Sequence, residues 1–204
     1  VNFGGNQKWY GRRYRPRSEA ELLDILGRHP GRTIKAIGSG HSWSGIAAGA
    51  DIVLDMSALD RVEPTTHDGL DIVRVGAGCR LQDLLDRLHA ATDRTLPTLG
   101  AIKKQTVSGA ISTGTHGSGK QSLSHFVISV RMAVFDSRSG EPVVRDFDKG
   151  PELLAARCGL GCLGIIVSVD LATVPKYLAE ETVRYCTGID DAIRRFADHP
   201  LTNF

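Results

Sequence analysis

Apolar positions along the chain fall into two spacings, and their alternation sets the expected elements. In "PRSEAELLDILGRHPG", Leu22, Ile25 and Leu26 recur at helical intervals. Ser18 and Glu21 form an S-x-x-E capping box ahead of them, and Gly27 and Pro30 end the run. "CRLQDLLDRLHAA" is the clearest helix, with Leu81, Leu84, Leu85 and Leu88 at i, i+3, i+4 and i+7. Shorter apolar runs read as strands: "RTIKAIG", "DIVLDM", "LDIVRVGAG", "FVISVRMAVFD", "PVVRDF" and "IIVSVDLATV". A helix at "PELLAARC" and a turn at "GLGCLG" precede the last of these. The first part is β-α-β-like, with a loop, "GSGHSWSG", where a strand gives way to glycine. No internal repeat is visible.

One stretch resists both spacings. "TLPTLGAIKKQTVSGAISTGTHGSG" runs 25 residues with little periodicity and much Gly, Ser and Thr. A long non-regular stretch inside a compact domain usually carries function. The region of Pro175 reads as a boundary, after which "KYLAEETVRYCTGIDDAIRRF" begins a new unit.

Composition narrows the function classes. The 204 residues can bury a full core, and a net charge of +2 gives no global case for nucleic acid or membrane. The basic cluster "GRRYRPR" is followed at once by acidic residues and reads as a solvated surface. No apolar run reaches the ~18 residues of a membrane span, and no secretory signal is visible, so a cytoplasmic location is expected. Four cysteines in this length do not make a disulfide scaffold. Cys158 and Cys162, spaced C-x3-C without a matching pair, read as small buried residues, and no metal site is expected. A start at Val and a stop at "DHPLTNF" suggest processing or a piece of a longer protein.

Three glycine loops carry the candidate chemistry. "GTHGSGKQS" approaches the phosphate loop G-x-x-x-x-G-K-[ST], with Gly114, Gly119 and Lys120 in place, but Gln121 stands where a magnesium-binding hydroxyl belongs. The segment before it is small and polar, not a Val/Ile strand, and no convincing helix follows, so an NTPase is the weakest reading. "GLGCLG" matches G-x-G-x-x-G but follows a helix and opens a strand, the reverse of the dinucleotide-binding order. It is either a tight turn with a left-handed glycine or a close backbone approach to a ligand. In "IGSGHSWSG", Gly38 and Gly40 free the backbone, Ser39, Ser42 and Ser44 add hydroxyls, and His41 sits between them. Successive amides in such a loop can form a nest for an anion. Three such cradles on one chain suit a large diphosphate-bearing ligand.

"AIGSGHSWSGIA", "QTVSGAISTGTHGSG" and "GLGCLGIIVSV", in this order and spacing, resemble the FAD-binding domain of the vanillyl-alcohol oxidase/PCMH-type flavoproteins. Within that family the likeness is greatest to sugar-1,4-lactone oxidases and alditol oxidases, from about Tyr14 to Pro175. The resemblance implies an α+β fold of two subdomains with FAD between them. These would be about 1–65 and 66–175, with 176–204 starting a substrate or cap domain. It implies that Gly38, Ser39, Gly40, His41 and Ser42 wrap the diphosphate, and that His41 is joined covalently to the flavin 8α-methyl. Thr106, Val107, Ser108, Gly109, Ala110, Thr113, Gly114 and His116 would line flavin and diphosphate. Gly161, Gly164 and Ile166 would reach the adenosine end.

Some relatives have a second tether through a Cys ahead of "QTVSG", but this chain has none between Cys79 and Cys158, which implies a single link. Gly100 matches the position where dehydrogenase relatives can carry Ala, and its missing methyl implies oxygen access. The implied reaction oxidises a hydroxyl of a polyol or sugar lactone by hydride transfer to flavin N5, and O2 reoxidises the flavin to give H2O2. The substrate-binding and basic residues of such enzymes lie mostly in a further C-terminal domain, so no catalytic base is named. His67, His89 and His125 sit in ordinary elements and read as core or surface. A dehydrogenase with another acceptor, or a non-catalytic FAD-binding fragment, stays open.

Overall fold

The computed structural model describes residues 1–117, 121–178, 183 and 185–198. Two sheets organise it. A small parallel sheet, order β1-β3-β2, joins β1 (Arg12–Tyr14), β2 (Ile34–Ile37) and β3 (Ile52–Asp55). A five-stranded antiparallel sheet joins β4 (Val62–His67), β5 (Leu70–Gly76), β7 (Val127–Phe135), β8 (Pro142–Phe147) and β9 (Ile165–Ala172) in the order β4-β5-β9-β7-β8. A two-residue pair, β6 (Arg94–Thr95) with β10 (Val174–Pro175), closes the region near Pro175.

Helix α1 (Glu19–Gly27) starts as its sequence dictates. Ser18 Oγ accepts the Glu21 amide at 3.2 Å, while the Glu21 carboxylate reaches one residue further back, to the Arg17 amide at 2.8 Å. Its Leu22, Ile25 and Leu26 are buried with Ile52 and Leu54 from the small sheet, Met56 just past it, and Ala133, Ile165 and Val167 from the large sheet. Helix α1 therefore fills the space between the two sheets. The other face of the large sheet carries the main core, under α2 (Leu81–Ala91), α3 (Val107–Ser112) and α4 (Gly150–Arg157). The predicted stripe Leu81, Leu84, Leu85 and Leu88 is the buried face of α2. A last helix, α5 (Ile189–Asp198), lies beyond Pro175.

The pattern reading passed over β1, β4 and α3, besides the two-residue β6. β1 lies in the basic cluster and is a strand because it pairs in parallel with β3, reinforced by Arg13–Asp55 at 2.7 Å. β4 pairs with β5 across a two-residue turn in which Asp68 and Gly69 both have positive φ. An Asp-Gly pair between strand-like runs is the sequence signal for such a hairpin. Helix α3 lies inside the stretch expected to be non-regular. Thr106 caps it through Oγ1, and Val107, Ala110 and Ile111 are fully buried.

One irregularity positions the site. The pairs Arg131↔Ser168 and Met132↔Ile166 leave Val167 of β9 unpaired, a β-bulge. Its carbonyl accepts the Ala77 amide at 2.9 Å. That anchors the chain just past β5, where α3 docks.

Candidate functional site

Helix α3 is the hub at which the three glycine motifs meet. At its start, Gly38 packs on Thr106 so closely that a Cβ there would overlap Thr106 Oγ1. At its end, the Ser112 carbonyl accepts the Leu160 amide at 3.2 Å and the Cys158 thiol at 3.4 Å. Gly114, just beyond, faces Cys158 Sγ. Gly100 is buried against Thr115, whose Cγ2 a Cβ would meet at 2.7 Å.

The loop after β2 holds its backbone open. From Ser39 to Ser44 no amide donates to a protein acceptor among the described residues. Gly40 has φ +74, a region where a Cβ is unfavourable, and its α-carbon packs on the Trp9 ring. Ser39, Gly40, His41 and Ser42 are half-buried and Gly38 is exposed. The ammonium of Lys35 is held by the carbonyls of Ile46 and Ala48, both at 2.8 Å, and forms no ion pair among the described residues. A run of unspent amides fits a diphosphate.

The α3 segment uses its groups differently. The Val107 amide goes to the Cys79 carbonyl, the Ser108 amide and hydroxyl to the Ala77 carbonyl, and the Gly109 amide to Thr106 Oγ1. Val107 and Ala110 are fully buried and have no surface to offer a ligand, and Ile166 is 9% exposed in the main core. What α3 presents is Ser108, Gly109, Ser112 and Thr113. His116 is exposed, and its Nδ1 donates to the Gly117 carbonyl at 2.6 Å.

The "GLGCLG" segment is a turn between α4 and β9, with Leu160 (φ 52) and Gly161 (φ 77) at its centre and the Cys162 amide on the Gly159 carbonyl. Positive φ at a leucine is strained backbone. Gly164, tight against the Ala133 carbonyl, starts β9. The order helix-turn-strand rules out the dinucleotide-binding arrangement.

Two expectations need correction or placing. Cys158 and Cys162 are exposed, because the turn that carries them lies outside the sheet; only Cys79 is buried. Burial pushes the Cys79 thiol up to about 11, so it stays protonated. The phosphate-loop residues Gly119 and Lys120 lie outside the described residues. The chain before them is helix α3 and not a buried strand, so the context of a phosphate loop is missing. No metal-binding cluster occurs among the described residues, and no helix there is long and apolar enough to cross a membrane.

The pattern reading missed the N-terminal segment. Asn2, Phe3, Asn6 and Gln7 all bond the His41 loop, and Phe3 stacks on the His41 ring at 5.4 Å between centroids. The only signal was "NFGGN", two asparagines about a glycine pair.

Residues 12–141 match the FAD binding domain family. The chain is 40% identical over 204 residues to a long-chain alcohol oxidase of an uncultured marine euryarchaeote, covering 100% of this chain and 42% of that protein. It is 37% identical over 171 residues to the L-gulono-1,4-lactone dehydrogenase of Mycobacterium tuberculosis, covering 80% of this chain and 37% of the enzyme. It is 37% identical over 190 residues to the D-arabinono-1,4-lactone oxidase of Eremothecium gossypii, covering 87% and 35%. The chain thus spans well under half the length of these relatives. Its fold matches a solvent-stable cholesterol oxidase with a TM-score of 0.76 at 24% identity, over 85% of this chain and 36% of the other.

Proposed function

The chain belongs to the FAD binding domain family, and from that premise we propose that it is the cofactor domain of an oxidase acting on a hydroxyl of a sugar lactone or polyol. The observation that carries this reading is the run of unspent amides from Ser39 to Ser44, with His41 among them, packed through Gly38 on the cap of α3. When bound, FAD would supply the hydride acceptor and the site of reoxidation by O2. The amides of residues 39–42 hold the diphosphate, with Lys35 adding positive potential. Ser108, Gly109, Thr113 and Gly114 line the adjoining surface, and Gly161 lies at the far end of α3 for the adenosine. His41 would tether the flavin by a bond from a ring nitrogen to the 8α carbon, the N–H and one C–H hydrogen being lost with two electrons to O2 as H2O2.

The division of residues 1–175 near 65 into two subdomains belongs to the same proposal, as does a substrate domain beginning after Pro175. Tyr177, Leu178, Tyr185, Ile189 and Ile193 are exposed there, apolar surface suited to further packing. The free thiols of Cys79, Cys158, Cys162 and Cys186 fit a reducing compartment such as the cytoplasm.

The likeness to an L-gulono-1,4-lactone dehydrogenase favours the dehydrogenase alternative. At Gly100 the space an alanine methyl would take is filled by Thr115 Cγ2, so this glycine lends the oxidase reading no open path for oxygen. Titration should show tight FAD and no ATP binding, and His41→Ala should make the flavin dissociable. Tight ATP with no FAD would refute the assignment.

A further inference from the structure

The His41 loop is clasped along one side by residues 2–9. The Phe3 amide donates to the Gly40 carbonyl at 2.7 Å. Asn2 Nδ2 donates to the Ser42 carbonyl at 2.8 Å, and Asn6 Nδ2 to the Trp43 carbonyl at 2.9 Å. Asn2 is itself fixed: it is 6% exposed, and its Oδ1 accepts the Gln7 amide at 2.9 Å. The two segments also interlock through glycine-on-tryptophan contacts. A Cβ on Gly4 would meet the Trp43 ring at 2.9 Å, and a Cβ on Gly40 would meet the Trp9 ring at 2.9 Å. Every bond across this seam takes a carbonyl of the loop and none takes an amide.

We propose that residues 2–9 are a positioning strap for the cofactor loop, holding its carbonyls on one side so that its amides turn to the anion, with Phe3 setting the plane of the His41 imidazole. The physical reason is the fixed geometry of the peptide unit. Within each trans peptide plane N–H and C=O point in opposite directions, so anchoring the carbonyls of Gly40, Ser42 and Trp43 turns the amides of His41, Trp43 and Ser44 away from the strap. Phe3 acts on the imidazole alone: its ring is inclined 26° to the His41 ring, and it is 71% exposed, so it contributes little to the core. Asn2, Phe3 and Asn6 are positioning residues with no contact to substrate. The inference rests on the reading of this loop as the cofactor loop.

The test compares variants of the FAD-loaded protein with and without His41. With His41 present, Phe3→Ala should cut the fraction of flavin that survives acid precipitation about five-fold, and Phe3→Trp should restore it. In a His41→Ala background, Asn2→Ala and Asn6→Ala should each raise the FAD Kd about five-fold, while Phe3→Ala changes it less than about two-fold. Asn6 is exposed, so its variant keeps the fold even if Asn2→Ala does not. Wild-type flavin retention in Phe3→Ala, together with an unchanged Kd in Asn6→Ala, overturns the strap. A wild-type protein that releases all its flavin refutes the histidyl link instead. The strap then stands on Asn2→Ala and Asn6→Ala weakening FAD, and falls if both bind it as wild type does.

Discussion

The loop at residues 38–44 and the segment at 106–116 are built from the same residue types, glycine, serine or threonine and one histidine, yet they use their backbones in opposite ways. In the loop the carbonyls of Gly40, Ser42 and Trp43 are engaged and the amides from Ser39 to Ser44 are left over. In the segment the amides of Val107, Ser108 and Gly109 are consumed at the start of α3, and Val107, Ala110 and Ile111 are core. Glycine-rich composition therefore does not by itself mark a phosphate cradle. What marks one is the surplus of donors after the fold has satisfied its own acceptors. In the proposed reading the loop is the binding surface, held in place by residues 2–9, while the segment is a structural pivot with one exposed face.

Substitutions can break this contrast, and the largest effect belongs to the loop. Gly40→Ala puts a Cβ at φ +74 and 2.9 Å from the Trp9 ring, an overpacked and strained position costing about 1–3 kcal/mol. It should weaken FAD about ten-fold or more at modest cost in Tm, because the strain falls on a surface loop. Equal FAD affinity in a titration would show that the loop does not hold the cofactor.

On the other side, Ser108→Ala removes the hydroxyl bonded to the Ala77 carbonyl at 2.7 Å. It should cost about 1 kcal/mol of stability, or about 2–4 °C in Tm, and weaken FAD less than Gly40→Ala does. A large loss of affinity with unchanged Tm would reverse the assignment of pivot and cradle.

The smallest effect concerns the footing of the loop. Asp55 pairs with Ile37 at the end of β3. Burial pushes its carboxyl up, but hydrogen bonds from Ser57 and Arg13 outweigh this and hold it below the usual carboxylate range. A depressed folded pKa means that its stabilisation is present above the unfolded value, about 3.9, and is lost as pH falls through the folded value. Asp55→Asn should cost no more than about 1 kcal/mol at neutral pH, since Arg13 is largely exposed, and should make Tm less sensitive to acid. An unchanged acid limb of the Tm–pH curve would remove Asp55 from that role.

How much of this was legible in the sequence depends on where each signal lives. The face of α2 and the cap of α1 were readable because both are local: Leu spacing in one and Ser18 with Glu21 in the other. The β4–β5 turn carried a local signal in Asp68-Gly69, but the pattern reading passed over it. Helix α3 hid behind its glycine and serine, which disfavour helix. Its six residues are held by the Thr106 cap and by burial of Val107, Ala110 and Ile111, an i, i+3, i+4 set. β1 has only three residues and exists through its partner strand, which no local pattern reports. The glycine loops were recognisable as motifs, but the division between spent and unspent amides was not. That division depends on residues 2–9, Ala77 and Cys79, all distant in the chain from the groups they satisfy.

The central claim is that the flavin is seated on the His41 loop and tethered there. Mass analysis of the proteolytic peptide carrying His41, taken from acid-denatured FAD-loaded protein, tests it directly. The account predicts that this peptide carries one FAD, less the hydrogen displaced at each joined atom, and that the Phe3→Ala protein yields mostly the unmodified peptide. An unmodified His41 peptide from wild-type protein, with all flavin free in the supernatant, would contradict it.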